Sequence, residues 1–103
     1  MKIIKAVHIN GTDKRKRYWK VPEHLQDVKL KMGDEAAVTT ANGFERVRII
    51  AVTNSPDGIL YWKNKAKGKS GQFEVTQEVI AFFDRNTKEV KTKKTIKKDL
   101  QFN

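Results

Sequence analysis

The stretch AAVTTANGFERVRIIAV, residues 36–52, decides the fold. It consists of two runs rich in β-branched and other apolar residues, and these runs are separated by Asn42 and Gly43. An Asn-Gly pair accepts the two positive φ angles of a type I′ turn, and the twist of that turn matches the twist of the strands on either side. The stretch therefore predicts a β-hairpin that is closed by a type I′ turn.

The second arm of this hairpin alternates between apolar and charged residues. Because side chains along a strand point to opposite faces in turn, the alternation places Val47, Ile49 and Ala51 on the core face. Arg46 and Arg48 then lie on the opposite face. The sequence thus predicts a sheet with one buried face and an outward face that carries two arginines.

Similar short segments, separated by frequent turn signals, fill the rest of the chain. They predict strands at about residues 2–9, 16–21, 35–41, 44–53, 59–63 and 73–83. Alternation in the last segment predicts these core-facing side chains: Phe73, Val75, Val79, Ala81 and Phe83. At most one short helical turn is expected, at about residues 22–27, since Pro22 suits a first helical position. We therefore expect an all-β fold, a single small SH3-like or OB-like barrel of about six short strands.

The length of the chain bounds its domain organisation. A chain of 103 residues is long enough for one domain and too short for two full hydrophobic cores. We expect the barrel to occupy residues 1–84 and residues 85–103 to form a basic C-terminal strand or tail. The alternating positions Val90, Thr92, Lys94 and Ile96 indicate one more strand in that tail.

The composition excludes several classes of protein. No apolar run approaches the ~20 residues of a membrane-spanning helix, and the N-terminal apolar run is too short for a signal peptide. Because the chain has no cysteine, it has no disulfide, thiol nucleophile or thiolate metal site. A reducing cytoplasm is therefore the expected location.

The charge of the chain points to an acidic partner. The 22 Lys and Arg exceed the 12 Asp and Glu, which gives a formal net charge of +10. The basic residues gather in three blocks, at residues 14–20, 63–69 and 88–98, and Arg46 and Arg48 add to them. Nucleic acid is the first expectation, and an acidic protein is also possible. Membrane binding is not expected, because no basic amphipathic helix is visible.

A Tyr-Trp-Lys triplet occurs twice, at residues 18–20 and 61–63. The first copy follows a run of four cations at residues 14–17, and the second precedes lysines at 65, 67 and 69. Sites for single-stranded nucleic acid combine cations, which follow the phosphates, with aromatic rings, which stack on bases for ~1–3 kcal/mol each. The triplets therefore favour a stacking site.

The same rings could instead be part of the barrel core. Neighbouring side chains of a strand face opposite ways, so only one ring of each Tyr-Trp pair is easily exposed. In the first triplet Trp19 aligns with Val21 and is expected to be buried, which leaves Tyr18 on the outside. In the second triplet the sequence does not decide between Tyr61 and Trp62 as the exposed ring.

Catalysis finds little support in the sequence. His8 and His24 are the only histidines, and no pair has the spacing of metal ligands, so no metal or cofactor is expected. Asp34 and Glu35 are adjacent and would diverge in a strand. The loop at residues 63–71 lacks the Walker spacing of a nucleotide cradle and is expected to be a flexible basic hairpin loop. We expect a protein that is not an enzyme, in which His8 is a half-buried histidine rather than a general base.

Three stretches carry a resemblance to a known family: residues 18–22, residues 30–38, and residues 47–52 with Gly43 before them. This aromatic-x-Val-Pro, Gly-Asp and closing-strand pattern resembles the N-terminal DNA-binding module of the primosomal helicase PriA, and more loosely other small SH3-like barrels. The resemblance implies a barrel that holds a DNA strand. A free-standing basic barrel also looks like the small accessory proteins of bacteriophages and mobile elements, some of which bind host proteins.

Two functions follow as expectations. The first is a barrel that binds single-stranded or partly melted DNA or RNA with low sequence specificity, since nothing resembles a recognition helix. The alternative is a phage or mobile-element accessory protein that binds a host protein or nucleoprotein complex. The candidate nucleic-acid-binding residues are Lys14, Arg15, Lys16, Arg17, Tyr18, Lys20, Arg46, Arg48, Tyr61, Trp62, Lys63, Lys65, Lys67 and Lys69.

Overall fold

The computed structural model describes residues 1–92 of the chain. This part contains eight strands and one short 3-10 turn. The strands are β1 (Lys2–His8), β2 (Arg17–Lys20), β3 (Glu35–Thr40), β4 (Gly43–Asn54), β5 (Ile59–Asn64), β6 (Lys69–Glu74), β7 (Val79–Phe83) and β8 (Val90–Lys91). The 3-10 turn spans Glu23–Leu25 and follows Pro22. The predicted all-β fold with one short helical turn is confirmed.

Six of these strands form one antiparallel sheet in the order β2-β1-β4-β3-β7-β8. The sheet curls until β2 meets the segment that leads into β7, where Lys20 forms a parallel bridge with Glu78. The Lys20 N–H donates to the Gln77 carbonyl at 2.9 Å. The result is a small β-barrel-like fold, and the hairpin β5–β6 forms a separate two-stranded sheet beside it.

The interior of the barrel is filled mainly by β-branched and aromatic side chains. Its buried cluster consists of Ile4, Ala6, Trp19, Val21, Val28, Ala36, Val38, Val47, Ile49, Val79 and Phe82. The predicted burial of Trp19 is confirmed, because its side chain is 3% exposed and its indole N–H donates to the Thr39 carbonyl at 3.0 Å.

The central hairpin β3–β4 forms as predicted, but its turn differs. Thr40 pairs with Gly43, so the turn residues are Ala41 and Asn42. Neither has a positive φ angle, and the positive φ of +112° falls on Gly43. The type I′ prediction is therefore wrong. A glycine with a positive φ angle directly after the turn is also compatible with the right-handed twist of the paired strands. This sequence therefore still forms a hairpin.

A bulge in β4 changes which of its residues face the core. Val47 and Ile49 are buried as predicted. Lys5 pairs with Ala51 and Ala6 pairs with Ile49, so Ile50 is one extra residue opposite β1. The extra residue reverses the alternation beyond it. The prediction that Ala51 faces the core is therefore wrong, and Val52 packs against the core in its place.

The segment at residues 73–83 is two strands rather than one. Phe73 ends up 43% exposed in β6, whereas Val75 and Val79 are buried as predicted. In β7 the partners of Val38 and Ala37 are Val79 and Ala81, so Ile80 is an extra residue. This bulge shifts the phase, and Phe82 enters the core. The predictions for Ala81 and Phe83 as core-facing side chains are wrong because of this bulge. The prediction for Phe73 is wrong because β6 belongs to the separate two-stranded sheet rather than to the barrel.

The chain after β7 continues into a tight turn and the two residues of β8, which pair with β7. Residues 93–103, with the remainder of the predicted final strand and of the basic tail, lie outside the described residues. Within residues 1–92, no helix is long and apolar enough to cross a membrane.

Candidate nucleic-acid interface

A groove of about 410 Å³ lies between the outer face of the barrel and the hairpin β5–β6. On the barrel side, Tyr18, Lys5 and Ala51 are cross-strand neighbours on β2, β1 and β4. On the hairpin side, Trp62 and Phe73 line the groove. The groove thus brings together Tyr18 of the first triplet and Trp62 of the second, although they are 44 positions apart in the sequence.

Tyr18 is the contact point between barrel and hairpin. Its ring centroid lies 5.5 Å from that of Phe73, with the planes tilted by 56°. The Lys5 ammonium lies 5.8 Å from the Tyr18 centroid, within the range of a cation–π contact. Tyr18 lies on the outer face, as predicted, but it is half-buried there rather than exposed, because Lys5 and Phe73 pack against its ring.

Trp62 lies across the opposite strand of its hairpin. It pairs with Gly71, and a Cβ atom at Gly71 would stand only 2.5 Å from the Trp62 ring. The ring therefore rests directly on the glycine backbone. Its side chain remains 49% exposed. The close approach fixes the ring while leaving much of it open to solvent.

Tyr61 is exposed as well, at 64%, so the second triplet presents both of its rings. The Tyr61 hydroxyl donates to Asp57 Oδ2 at 3.2 Å. This hydrogen bond raises the pKa of Tyr61 above its ordinary value. The expectation that only one ring of each pair is exposed is therefore wrong for this triplet. Strand β5 belongs to the separate two-stranded sheet, so neither ring has to enter the barrel core.

The loop between β5 and β6 carries cations that have no acidic partner among the described residues. Four exposed lysines lie at its base and tip, and none makes an ion pair with a described residue: Lys63, Lys65, Lys67 and Lys69. The turn is closed by the Asn64 side-chain oxygen, which accepts from the Lys67 N–H at 3.2 Å. The predicted basic hairpin loop thus contains a hydrogen-bonded turn, and its lysine side chains make no ion pair with a described residue.

The first basic block is partly neutralised by its own acid. Arg15 and Arg17 lie 3.2 and 2.9 Å from the Asp13 carboxylate. The Arg15 N–H and the Arg17 guanidinium hold the pKa of Asp13 well below its usual range. Lys14 and Lys16 are exposed and make no ion pair with a described residue.

Lys20, at the end of the same block, lies where β2 meets the segment before β7 and the barrel closes. Its ammonium is 3.9 Å from the Glu78 carboxylate, a long contact across the bridge that closes the sheet. The Lys20 side chain of the first triplet therefore also contacts the residue across which the barrel closes.

Arg46 and Arg48 point to the outer face, but they converge on a buried acid. Their guanidinium groups lie 3.0 and 4.0 Å from the Glu35 carboxylate, which Lys88 also contacts. Hydrogen bonding from Lys88, together with the two arginines, lowers the pKa of Glu35. Arg46 also lies 3.8 Å from the centroid of the Phe83 ring. These arginines are therefore engaged in holding β3, β4 and the C-terminal turn together.

The third basic block supplies a second such contact. The Lys91 ammonium lies 2.8 Å from Asp34, which is fully buried. Burial raises the pKa of Asp34, but hydrogen bonds from Lys91 and from the N–H groups of Lys31 and Arg85 outweigh it, so the net shift is downward. Sequence reasoning missed this role, because an acid and a lysine 57 positions apart give no local signal.

A second, larger pocket of about 840 Å³ opens at the end of the barrel. Tyr18 and Phe73 line both this pocket and the groove, so the two spaces adjoin. At the floor lies His8, whose ring meets Trp19 edge-on with centroids 5.6 Å apart. His8 is buried more deeply than predicted, at 8% exposure. Sequence reasoning missed Glu45 in this pocket, since its position depends on how the barrel closes.

Among residues 1–92 no group of three or more acids and histidines could hold a metal ion. A protein-family model, described as a family of unknown function (DUF5839), matches residues 1–58, which is more than half of the chain. No curated protein matches the chain. No solved structure matches it either.

Proposed function

The chain belongs to that family of unknown function, and we propose that it is a non-enzymatic barrel that binds single-stranded or partly melted nucleic acid. The observation that carries the proposal is the groove in which Tyr18, Trp62 and Phe73 stand together. These rings come from both sides of the groove, and Lys5 lies beside them.

A single strand suits this surface better than a duplex does. Exposed rings gain their stacking energy, ~1–3 kcal/mol per base, only where a base is unstacked from its neighbours. The groove is large enough to hold a base of a single strand. A duplex would need a helix that enters its major groove, and no element of the described chain resembles one. Every base has a flat face, so stacking of this kind has little sequence preference.

The phosphates would contact the cations that have no acidic partner within residues 1–92. These are the lysines of the β5–β6 loop, with Lys14 and Lys16 on the barrel side. Arg46 and Arg48 contribute less, because each already forms an ion pair with the Glu35 carboxylate. Contact with about four to six phosphates would give a salt slope of roughly 0.7 per phosphate for a single strand.

Fluorescence anisotropy with labelled single-stranded DNA, duplex DNA and RNA, at two salt concentrations, tests the proposal. We expect salt-dependent binding that is strongest for one single-stranded ligand. Trp emission should be quenched at the same time, because Trp62 is exposed whereas Trp19 is buried. A Trp62→Phe variant keeps a ring in the groove and should lose most of the quenching. Weak binding without preference among the three ligands would overturn the proposal.

Phe44 supports the second candidate function, the capture of a host protein or nucleoprotein. It is 76% exposed at the start of β4, and the groove does not include it. Exposed aromatic side chains are common anchors of protein interfaces. If purified protein fails to bind naked oligonucleotides, this candidate replaces the first, and Phe44→Ala should then abolish capture of a partner while leaving the barrel folded.

A further inference from the structure

The hairpin β5–β6 has two faces, and only one of them forms a wall of the groove. Successive side chains of a strand point to opposite faces, and residues that pair across a hairpin share a face. Leu60 pairs with Phe73, and Trp62 pairs with Gly71. Because Leu60, Trp62 and Phe73 line the groove, these two pairs mark the groove face of the hairpin. The pairs that alternate with them belong to the other face.

This other face carries a hollow of about 420 Å³, close to the 410 Å³ of the groove. Around the hollow stand Tyr61 and Lys63 of β5 with their partners Gln72 and Ser70 of β6. These four residues alternate with Trp62, which belongs to the groove face, so their side chains point away from the groove. We call this space the rear hollow.

The rear hollow has the same kinds of groups as the groove. Tyr61 supplies an aromatic ring that is 64% exposed, and its hydroxyl is held by Asp57 Oδ2 at 3.2 Å. Lys63 supplies a cation that makes no ion pair with a described residue. The alternation of the second Tyr-Trp-Lys triplet thus divides its three side chains, with Trp62 on the groove face and the other two at the rear.

Positive charge is concentrated at the tip of the hairpin, which both faces share. Lys65, Lys67 and Lys69 are exposed there and have no acidic partner within residues 1–92. The exposed acid Glu74 lies at the base instead, where it pairs with Ile59. A polyanion that arrives at the tip would therefore meet cations before it meets an acid on either face.

The hairpin is also thin and open at its edges. Among the described strands β5 and β6 pair only with each other, and paired strands lie only ~4.8 Å apart. From this two-sided arrangement we infer that the hairpin lies between the two unpaired arms of a forked nucleic acid. One arm occupies the groove and the other contacts the rear hollow. The inference rests on the proposed function and names its substrate class, a junction where a duplex divides into two single strands.

A fork suits this surface better than two independent strands do. An arm that is bound in the groove holds the second arm close to the rear hollow, so the second contact forms within one complex. Two or three groups at the rear are then enough to add affinity, although they would bind a free strand only weakly. The positive tip would lie next to the junction, where the phosphates of both arms converge.

The test compares two ligands in fluorescence anisotropy. The first is a duplex with two unpaired thymine arms, and the second is the same duplex with all of these thymines in one continuous arm, made in both polarities. Base pairs, unpaired nucleotides and phosphates are equal in number, so charge alone does not separate the ligands. We expect the fork to bind about tenfold more tightly. Equal affinity would overturn the inference and leave the proposed function standing, whereas binding of no ligand would overturn both.

Variants of Tyr61 check the role of the rear hollow. Tyr61→Ala should cancel most of the advantage of the fork and change the affinity for the one-armed duplex less than about twofold, because Tyr61 only borders the groove. Tyr61→Phe keeps the ring and should keep the advantage. Phe44→Ala removes an exposed ring that lines neither space and is the matched control. If Tyr61→Ala does not fold, the comparison of ligands on the wild type decides. A folded Tyr61→Ala with the full advantage would overturn the assignment.

A spectroscopic reporter distinguishes the two faces directly. The double change Trp62→Phe and Tyr61→Trp moves the exposed indole from the groove face to the rear, while Trp19 stays buried as a constant background. We expect the fork to quench this emission and the one-armed duplex to leave it nearly unchanged. Equal quenching by both ligands would overturn the placement of the second arm.

Discussion

Trp62 keeps its orientation because Gly71, its cross-strand partner, has no side chain. The ring covers the glycine and stays half exposed. At the scale of single residues, the candidate interface depends on such neighbours: Phe73 beside Tyr18, Asp57 beside Tyr61 and Gly71 beneath Trp62. Tyr61 and Trp62 are exposed and Tyr18 is half-buried, and each ring has a neighbour that orients it. This orientation lowers the entropy that a ring would lose on stacking with a base.

Gly71→Ala should displace the Trp62 ring, because the new Cβ would lie 2.5 Å from a ring carbon. We expect a change in Trp emission and a weaker affinity for single strands, with a loss of barrel stability below about 1 kcal/mol, the usual range for one cross-strand pair. Ser70→Ala, at the neighbouring exposed position, is the matched control and should change neither. Unchanged emission in Gly71→Ala would show that the ring adapts without moving.

Tyr18→Ala should weaken oligonucleotide binding by ~1–3 kcal/mol if the ring stacks on a base. Tyr18→Phe keeps the ring and should bind nearly as the wild type does. Anisotropy measures the affinity, and circular dichroism shows whether the barrel is folded. Unfolding of Tyr18→Ala at room temperature would indicate that its contact with Phe73 is structural in the first place.

At the scale of elements, the hairpin β5–β6 differs from the strands of the barrel. It forms a sheet of its own and pairs with no strand of the larger sheet. Its loop carries the largest group of cations without acidic partners among the described residues. The barrel supplies one wall of the groove, and the hairpin supplies the other wall and the charge.

Replacing Lys65 and Lys67 together by alanine should flatten the salt dependence of binding by about 0.7 for each phosphate contact that is lost. Binding at low salt should weaken as well. The double change of Lys29 and Lys31 to alanine removes the same charge from exposed positions outside the groove and should leave the slope nearly unchanged. Equal slopes in the two double variants would remove the loop from the site.

At the scale of the whole molecule, two adjacent acids connect the C-terminal turn to the barrel. Asp34 binds the Arg85 N–H and Lys91, and Glu35 contacts Lys88, Arg46 and Arg48. Four cations are therefore used to close the structure. The total of 22 Lys and Arg overstates the number of cations that remain unpaired for a partner.

Acid should destabilise the barrel through this pair of carboxylates. Their pKa values are lowered in the folded state from ordinary values of 3.8 for Asp34 and 4.5 for Glu35. The unfolded state then binds more protons, so the stabilisation is complete above those ordinary values and is lost as the pH falls below them. Urea unfolding between pH 2.5 and 7 should show this loss at the acid end.

Glu35→Gln provides the comparison for that experiment. It should cost roughly 1.5–3 kcal/mol at neutral pH, because the buried side chain loses charge-assisted hydrogen bonds. Its unfolding free energy should depend less steeply on pH in the acid range than that of the wild type. Parallel pH profiles for the two proteins would show that another carboxylate is responsible.

The amino-acid sequence by itself determined the features that depend on neighbours along the chain. Alternation predicted the strands, the central hairpin and the opposite faces of Tyr18 and Trp19, since the two-residue period is a local property of extended backbone. The excess of cations and the two triplets were equally visible. Both features point to a polyanionic partner, and neither depends on tertiary contacts.

Only the tertiary structure decided the features that arise where distant segments meet. The extra residues Ile50 and Ile80 reverse the alternation because of how their strands pair, and a single strand does not encode its partner's register. Whether a cation is free depends on acids far away in the chain, as Lys91 and Asp34 demonstrate. The groove itself exists because folding brings the hairpin to the outer face of the barrel, a long-range packing that no local pattern contains.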